Sequence, residues 1–408
     1  MKQGIRQGNY LPVFCLLLKE GKKKAKSFGI GTFQGKRLKG KEVHRMSNLS
    51  RRGFLAASTT AVAGLALSGC SSSSSSSSAS TSQSAETKQV ETITVNVGYW
   101  GGTCEAPLYV AAEKGFFKEQ SIDVNITKIT AGSTAWLADC GSDQGAYCVF
   151  EATPNFLPAI AQGMDIKYVS EVHTGCIQAC ATAASGITDV AGLAGQKIGT
   201  FDTHDMGEIF LRAAMMNAGD DPESCEYITE DNIGTMLTEA AAGNIVAFAN
   251  FDPYVEIAVE YFGYTRIFNN ATDKNFKDQT CCFLAGNKAV YSNTEVSARI
   301  AAAVDAACKW IEENPADAAT LIQGQNDSGT AYVTPTSTLL EAFGVDPSKA
   351  TDDLHQKLLE TYTWGNISSA HFTSSLTEQW NTVDKVGMNS TGKSVDELVK
   401  LCGAYCGL

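Results

Sequence analysis

The sequence predicts an α/β fold with a largely parallel sheet, laid down twice along the chain. Two observations point there. Strand-like and helix-like segments alternate from about residue 91 onward, which is the sequence habit of parallel sheets with covering helices. The alternation then starts afresh near Gln196, after a loop-rich stretch. A third observation is length: the 339 residues from Cys70 to the end are enough for two substantial cores.

The elements follow in order. ETITVNVGYW alternates polar and apolar residues and reads as a strand. The loop GGTCEAP leads into a helix, LYVAAEKGFF, and IDVNITKI forms the next strand. After the loop AGSTAWLAD and a helical segment, YCVFEATP reads as a buried strand with a loop at its carboxyl end. PNFLPAIAQG is a short helix and IKYVSEV a strand. In the second half QKIGTFDT is a strand and turn, and MGEIFLRAAMMNAG an amphipathic helix with a glycine stop. ESCEYITE is a strand, MLTEAAAGN a helix, and IVAFANFDPY a strand entering a loop. The chain turns through TCCFLAG and becomes helical at VSARIAAAVDAACKWIEENP.

The N-terminal residues carry a different message. Arg51 and Arg52 precede the apolar run LAASTTAVAGLAL and then LSGC, the layout of an export signal. The apolar run is too short to span a bilayer as a stable helix. The segment resembles a twin-arginine signal ending in a lipoprotein box, with Ala56 where lysine is usual. The resemblance makes Cys70 the lipid-carrying residue. Eight serines follow it, a flexible tether of roughly 25 Å root-mean-square span up to Val90. Residues 1–45 hold twelve Lys and Arg against two acids. Met46 places the arginine pair a few residues from a start, and Lys41-Glu42-Val43 can be encoded as a ribosome-binding site. Residues 1–45 are therefore expected to be an untranslated leader, or else a basic extension, with the signal at 46–69 and the tether at 70–90.

Beyond residue 69 the chain keeps 18 basic and 42 acidic residues, a net charge of −24. Such acidity argues against a nucleic-acid partner. Only Arg212, Arg266 and Arg299 remain, so few arginine forks exist to clamp a phosphate or carboxylate. Backbone N–H groups at helix starts could still hold an anion. Eleven cysteines follow Cys70. Outside the cytoplasm disulfides are permitted, and an odd count leaves at least one thiol over.

GYWGGTCEAPLYVAAEKGFFKEQSIDV resembles the opening of solute-binding proteins of ABC importers for nitrate, sulfonate and taurine, and for thiamine-pyrimidine precursors (NMT1/THI5-like). ITDVAGLAGQKIGTFDTHDMGEIFLRAAMMNAG is similar to their second-lobe opening. IVAFANFDPY is similar to their W-E-P-Y loop, with Phe251-Asp252 for Trp-Glu. The resemblance covers about residues 95–314. It implies the two-lobed periplasmic-binding-protein type II fold, with two crossover strands as hinge. Lobe one would be residues 91–175 with 283–408, and lobe two residues 176–282. It also implies a monomeric, lipid-anchored receptor on the outer face of the cytoplasmic membrane. That receptor would pass a small organic molecule to an ABC permease and its ATPase, with no catalysis and no cofactor. One branch of the fold family is an intracellular pyrimidine-precursor synthase with a cysteine-rich iron motif, to which TCCFLA is faintly similar. That enzyme and a ligand-presenting sensory module are the alternatives.

Ligands of open α/β sheets lie beyond the carboxyl ends of strands. This selects Trp100, Gly102, Thr103 and Glu105; Ser133 and Thr134; Glu151 and Thr153; Asp202 and Thr203; and Asp252 and Tyr254. Glycines let backbone N–H groups come close, aromatics stack, and the carboxylates accept from amines or amides. Trp100 serves equally well as a wall residue, and capping competes for Asp202 and Asp205. His173 joins the candidates from the first crossover. Cys176 could form a disulfide with Cys281 or Cys282 across the hinge. A metal at His173, Cys176 and Cys281 is a sharper alternative, but no C-x-x-C knuckle supports it, and no metal is expected.

Overall fold

The computed structural model describes residues 91–129, 145–151, 164–201, 205–230, 232–325, 329, 331–351, 353–365 and 369–404. The export signal, Cys70 and the tether lie outside them. So do Ser133, Thr134, Thr153, Asp202 and Thr203, and of Glu151 only the strand position is described.

Eleven described strands form two sheets. β1 (Ile93–Tyr99), β2 (Ile122–Lys128), β3 (Ala146–Glu151), β4 (Ile166–Thr174), β10 (Thr280–Asn287) and β11 (Thr363–Trp364) make the first, in the order β11-β4-β10-β3-β1-β2. β5 (Ile177–Ala181), β6 (Lys197–Thr200), β7 (Glu226–Thr229), β8 (Ala247–Phe251) and β9 (Thr265–Asn269) make the second, in the order β7-β6-β8-β5-β9. The chain passes between sheets twice: at Gly175–Cys176, between β4 and β5, and again between β9 and β10.

Both sheets are mixed, where the sequence suggested a largely parallel arrangement. β1, β2 and β3 pair in parallel, as do β7, β6 and β8. The strands that carry the crossings reverse this. β10 runs antiparallel to β3 and β4, and β5 runs antiparallel to β8 and β9. A strand that enters a sheet from the other one arrives without a covering helix to turn it round, so it pairs in the opposite sense. TCCFLAG is thus a central strand, buried along its whole length, and not a turn.

The helices follow the apolar periodicity. α1 (Ala106–Glu113) stops at Lys114, because Gly115 takes φ +83° and lets the chain break before the short α2 (Phe116–Glu119). α3 (Met206–Ala218) is capped by Asp205, whose carboxylate accepts from Glu208 N at 2.7 Å, and ends at Gly219 with φ +94°. α4 (Ile233–Ala242) and α5 (Tyr254–Phe262) flank the second sheet. α6 (Lys288–Tyr291) follows β10 directly. α7 (Thr294–Glu313) buries Val296, Ile300, Val304, Ala307 and Ile311 on one face, the spacing of an amphipathic helix, and packs on α1. α8 (Pro315–Gln323), α9 (Thr336–Ala342), α10 (Asp353–Thr361), α11 (Ser369–Lys385) and α12 (Val395–Cys402) complete the described chain. Among the described residues no helix is long and apolar enough to cross a membrane.

Candidate functional site

The loop after β1 is organised by Glu105. Its carboxylate accepts the backbone N–H of Trp100 (2.9 Å), Gly101 (2.7 Å) and Gly102 (2.8 Å), and the Tyr109 hydroxyl at 3.0 Å. Burial raises its pKa, and these four donors pull it back part of the way. Glu105 therefore folds its own loop, and its acceptor sites face inward. Gly101 has φ +100°, and a Cβ there would meet the Lys128 side chain at 2.9 Å. Only glycine fits that position without displacing the lysine.

This loop meets the end of β8. Thr103 N donates to the carbonyl of Asp252 at 3.1 Å. A Cβ on Gly102 would stand 3.1 Å from the Phe251 ring. The Thr103 hydroxyl lies 2.9 Å from Nδ1 of the fully buried His355 on α10. Asp252 is itself buried; it accepts from the Tyr362 hydroxyl at 2.7 Å and from Gln178 Nε2 at 2.6 Å. Burial pushes its carboxyl up to about 8, against the pull of those two donors. Tyr254 lies beside Phe251, with ring centroids 5.4 Å apart.

Three buried polar atoms on these elements have no hydrogen-bond partner: Trp100 Nε1, Gln178 Oε1 and Asn250 Nδ2. Gln178 and Asn250 oppose each other across β5 and β8. Native interiors seldom leave such groups unpaired, and each costs about 1–3 kcal/mol. A pair on adjacent strands beside Asp252 is suited to a ligand that brings both a donor and an acceptor.

Behind the loop stands a cluster that the sequence only half reveals. One ligating atom each from Cys104, His173, Cys176 and Cys282, all buried, lie within 4.8 Å of one another. The sequence groups His173, Cys176 and Cys281. The structure adds Cys104 from the loop after β1 and takes Cys282 in place of Cys281. The register explains the exchange. Cys282 opposes His173 while Thr280 opposes Thr174, so Cys281 is an extra residue in a bulge. The bulge re-aims the paired cysteines, which a regular strand would turn to opposite faces. Cys281 instead lies against Cys176, with sulfurs 3.0 Å apart and both thiols free.

The cluster is electrostatically uneven. Burial pushes the Cys281 thiol up, but hydrogen bonds from Cys176 and Cys282 outweigh it and bring it to about 6. Hydrogen bonding to Cys104 lowers Cys282. Cys176 is raised, first by burial. A bond with Cys176 pulls Cys104 down, yet its bond with Cys282 and burial carry it up to about 12. Burial would lower His173, and the neighbouring Cys282 and Cys104 sulfurs raise it to about 10. Shared hydrogen bonds thus lower the paired cysteines of β10 while Cys104 and Cys176 are raised. His173 also stacks on Tyr362 at 5.2 Å and meets Trp364 edge-on at 5.5 Å.

A second group adjoins it along β4. Glu171, buried, accepts from Thr280 Oγ1 at 2.9 Å and is 2.6 Å from His371 Nδ1. These residues, His173 and Lys277 border a cavity of about 120 Å³. Neither Glu171 nor His371 carries a sequence signal beyond residue type.

The sequence profile of the proteins described as NMT1/THI5 like matches residues 103–318. The chain belongs to this family. Solved structures agree on the fold. The alkanesulfonate-binding protein SsuA from Xanthomonas axonopodis pv. citri, bound to MOPS, superposes with a TM-score of 0.55 at 14% identity, covering 75% of this chain and 96% of that one. The periplasmic nitrate-binding protein NrtA from Synechocystis PCC 6803 gives 0.58 at 14%, covering 77% and 86%. The aliphatic sulphonate-binding SsuA from Escherichia coli gives 0.53 at 16%, covering 72% and 87%. No curated sequence matches the chain. The two-sheet architecture with its paired crossovers is thus the periplasmic-binding-protein fold.

Proposed function

We propose that this NMT1/THI5-like protein is the solute-binding component of an ABC importer. It closes two lobes on a small organic molecule and releases it, unchanged, to a permease. The lobes are residues 91–175 with 283–408, and residues 176–282. One observation carries the reading: the strand-end loops of the two sheets meet, Thr103 against Asp252 at 3.1 Å, and buried unpaired polar atoms flank the meeting point. The sulfonate and nitrate binders that share the fold support it. Closure is a hinge motion whose balance the ligand shifts by touching both lobes.

Trp100, Thr103, Asp252 and Tyr254 are the proposed contacts, with Gln178 and Asn250 added from the structure. Gly102 and Glu105 shape the loop from behind. Ser133, Thr134, Glu151, Thr153, Asp202 and Thr203 complete the proposed lining, and His173 stands behind it among the buried cysteines. The acidic, arginine-poor chain favours a neutral or cationic amine or heteroaromatic ligand over an oxyanion. Export by the twin-arginine route, lipidation at Cys70 and a monomeric state belong to the same proposal. Neither the synthase nor the sensory alternative is better supported by the comparisons. A thermal-shift screen of a soluble form beginning near Glu86, against amines, pyrimidines, sulfonates and oxyanions, tests the ligand class. Stabilisation by amines or pyrimidines is expected. Stabilisation by sulfonates or nitrate alone would overturn the charge argument.

A further inference from the structure

We propose that Cys104, His173, Cys176 and Cys282 form a closed four-coordinate site for a thiophilic divalent cation of the zinc type. The donor set is three sulfurs and one imidazole, drawn from four separate segments: the ligand loop, the end of β4, the first crossover and β10. Three sulfurs and a nitrogen in tetrahedral array are a recurrent structural zinc site, with metal–sulfur bonds of about 2.3 Å and metal–nitrogen bonds of about 2.0 Å. Those lengths place the sulfurs roughly 3.8 Å apart. The four atoms already lie within 4.8 Å of one another, so filling the site asks for a contraction on the order of 1 Å.

A second observation is the setting of the histidine. His173 Nδ1 lies 3.3 Å from the Thr174 carbonyl, while Nε2 is buried and has no hydrogen-bond partner. On giving up its second proton the ring would have the arrangement of a ligating histidine, one nitrogen held by a carbonyl and the other turned to the metal. The aromatic rings of Tyr362 and Trp364 hold the imidazole from two sides. The backbone adds a third. Gly175, at φ +74°, lets the chain turn between His173 and Cys176, and a Cβ there would strike Ala271 at 2.6 Å.

Filling the site releases three protons to solvent, one each from Cys104 and Cys176 and one from the His173–Cys282 pair, as metal–sulfur and metal–nitrogen bonds form. The cation then ties the loop of Trp100–Glu105 to both crossovers and presets one wall of the cleft. That consequence rests on the binding-protein reading; metal uptake does not.

The test uses the full chain, reduced with a phosphine, stripped with a chelator and titrated with cobalt(II) without oxygen. Wild type is expected to take up one equivalent per chain, with thiolate-to-cobalt charge-transfer bands and the strong visible bands of tetrahedral cobalt, both displaced by zinc. Cys104→Ser and Cys282→Ser should lose charge-transfer intensity, and Cys281→Ser and Cys308→Ser should keep it. Circular dichroism on the same samples reports folding, and the wild-type titration decides alone if a variant does not fold. Absence of these bands in the folded, reduced wild type would overturn the proposal. So would bands that survive Cys282→Ser but vanish in Cys281→Ser.

Discussion

Replacing Asp252 with asparagine is expected to remove a pH dependence that the wild type carries. Asp252 is 1% exposed and sits between Tyr362 and Gln178. Burial moves its carboxyl from the ordinary 3.8 to about 8. The folded protein therefore binds this proton more tightly than the unfolded chain does. Its contribution to stability is fully present below about pH 3.8 and is lost as pH rises through about 8. Between those limits the loss is about 1.4 kcal/mol per pH unit. From pH 5 to pH 8 this amounts to about 4 kcal/mol. The asparagine side chain keeps the shape, with its oxygen toward Gln178 and its amide toward the Tyr362 hydroxyl, and has no proton to lose. Urea denaturation of the wild type and Asp252→Asn under reducing conditions at pH 5, 6, 7 and 8 measures the difference. The asparagine variant should gain on the wild type by about 4 kcal/mol across that range. Parallel curves would show that the carboxyl is already ionised in the folded state and that the two donors outweigh its burial.

Four further outcomes follow from the same geometry. His355, buried against Thr103, is lowered to about 4 by burial. Its contribution is full above about pH 6.5 and is lost as pH falls through about 4. His355→Gln should remove about 3 kcal/mol of acid sensitivity, read as a flattened thermal-unfolding profile from pH 7 to 4. Gly175→Ala should cost about 1–3 kcal/mol in urea, since it meets both the φ penalty and the Ala271 methyl; an unchanged midpoint would contradict the crossover geometry. Glu105→Ala strands the N–H groups of Trp100, Gly101 and Gly102. It should destabilise by about 2–4 kcal/mol and speed hydrogen exchange in that loop above all others. Trp100→Ala should weaken binding of a screen hit while leaving the unfolding midpoint nearly unmoved, and wild-type affinity would remove the loop from the site.

The fold is legible where local pattern and tertiary role coincide. MGEIFLRAAMMNAG shows its cap, its apolar stripe and its glycine stop, and α3 follows them. ITVNVGY and IDVNITK alternate, and they pair as β1 and β2 in parallel. β10 reads as a turn because TCCFLAGN is buried on both faces, so it has no alternation to show. β5 and β9 leave no signal for a related reason, being short antiparallel strands whose partners lie far along the chain. The site is legible as loops but not as contacts. Residue type makes Glu105 a ligand candidate; only the structure shows its oxygens turned to its own backbone. Cys104 cannot be joined to His173, Cys176 and Cys282 from spacing, because a bulge and a crossover bring them together. Gln178 and Tyr362 reach Asp252 from 74 and 110 residues away, a distance that no local pattern encodes.

Hydrogen exchange with and without the best compound from the thermal-shift screen tests the central claim most directly. A solute held between the lobes should slow exchange in residues 99–105 and in residues 250–254 together. Protection confined to one of the two loops, or placed elsewhere on the protein, would contradict a ligand shared by both lobes.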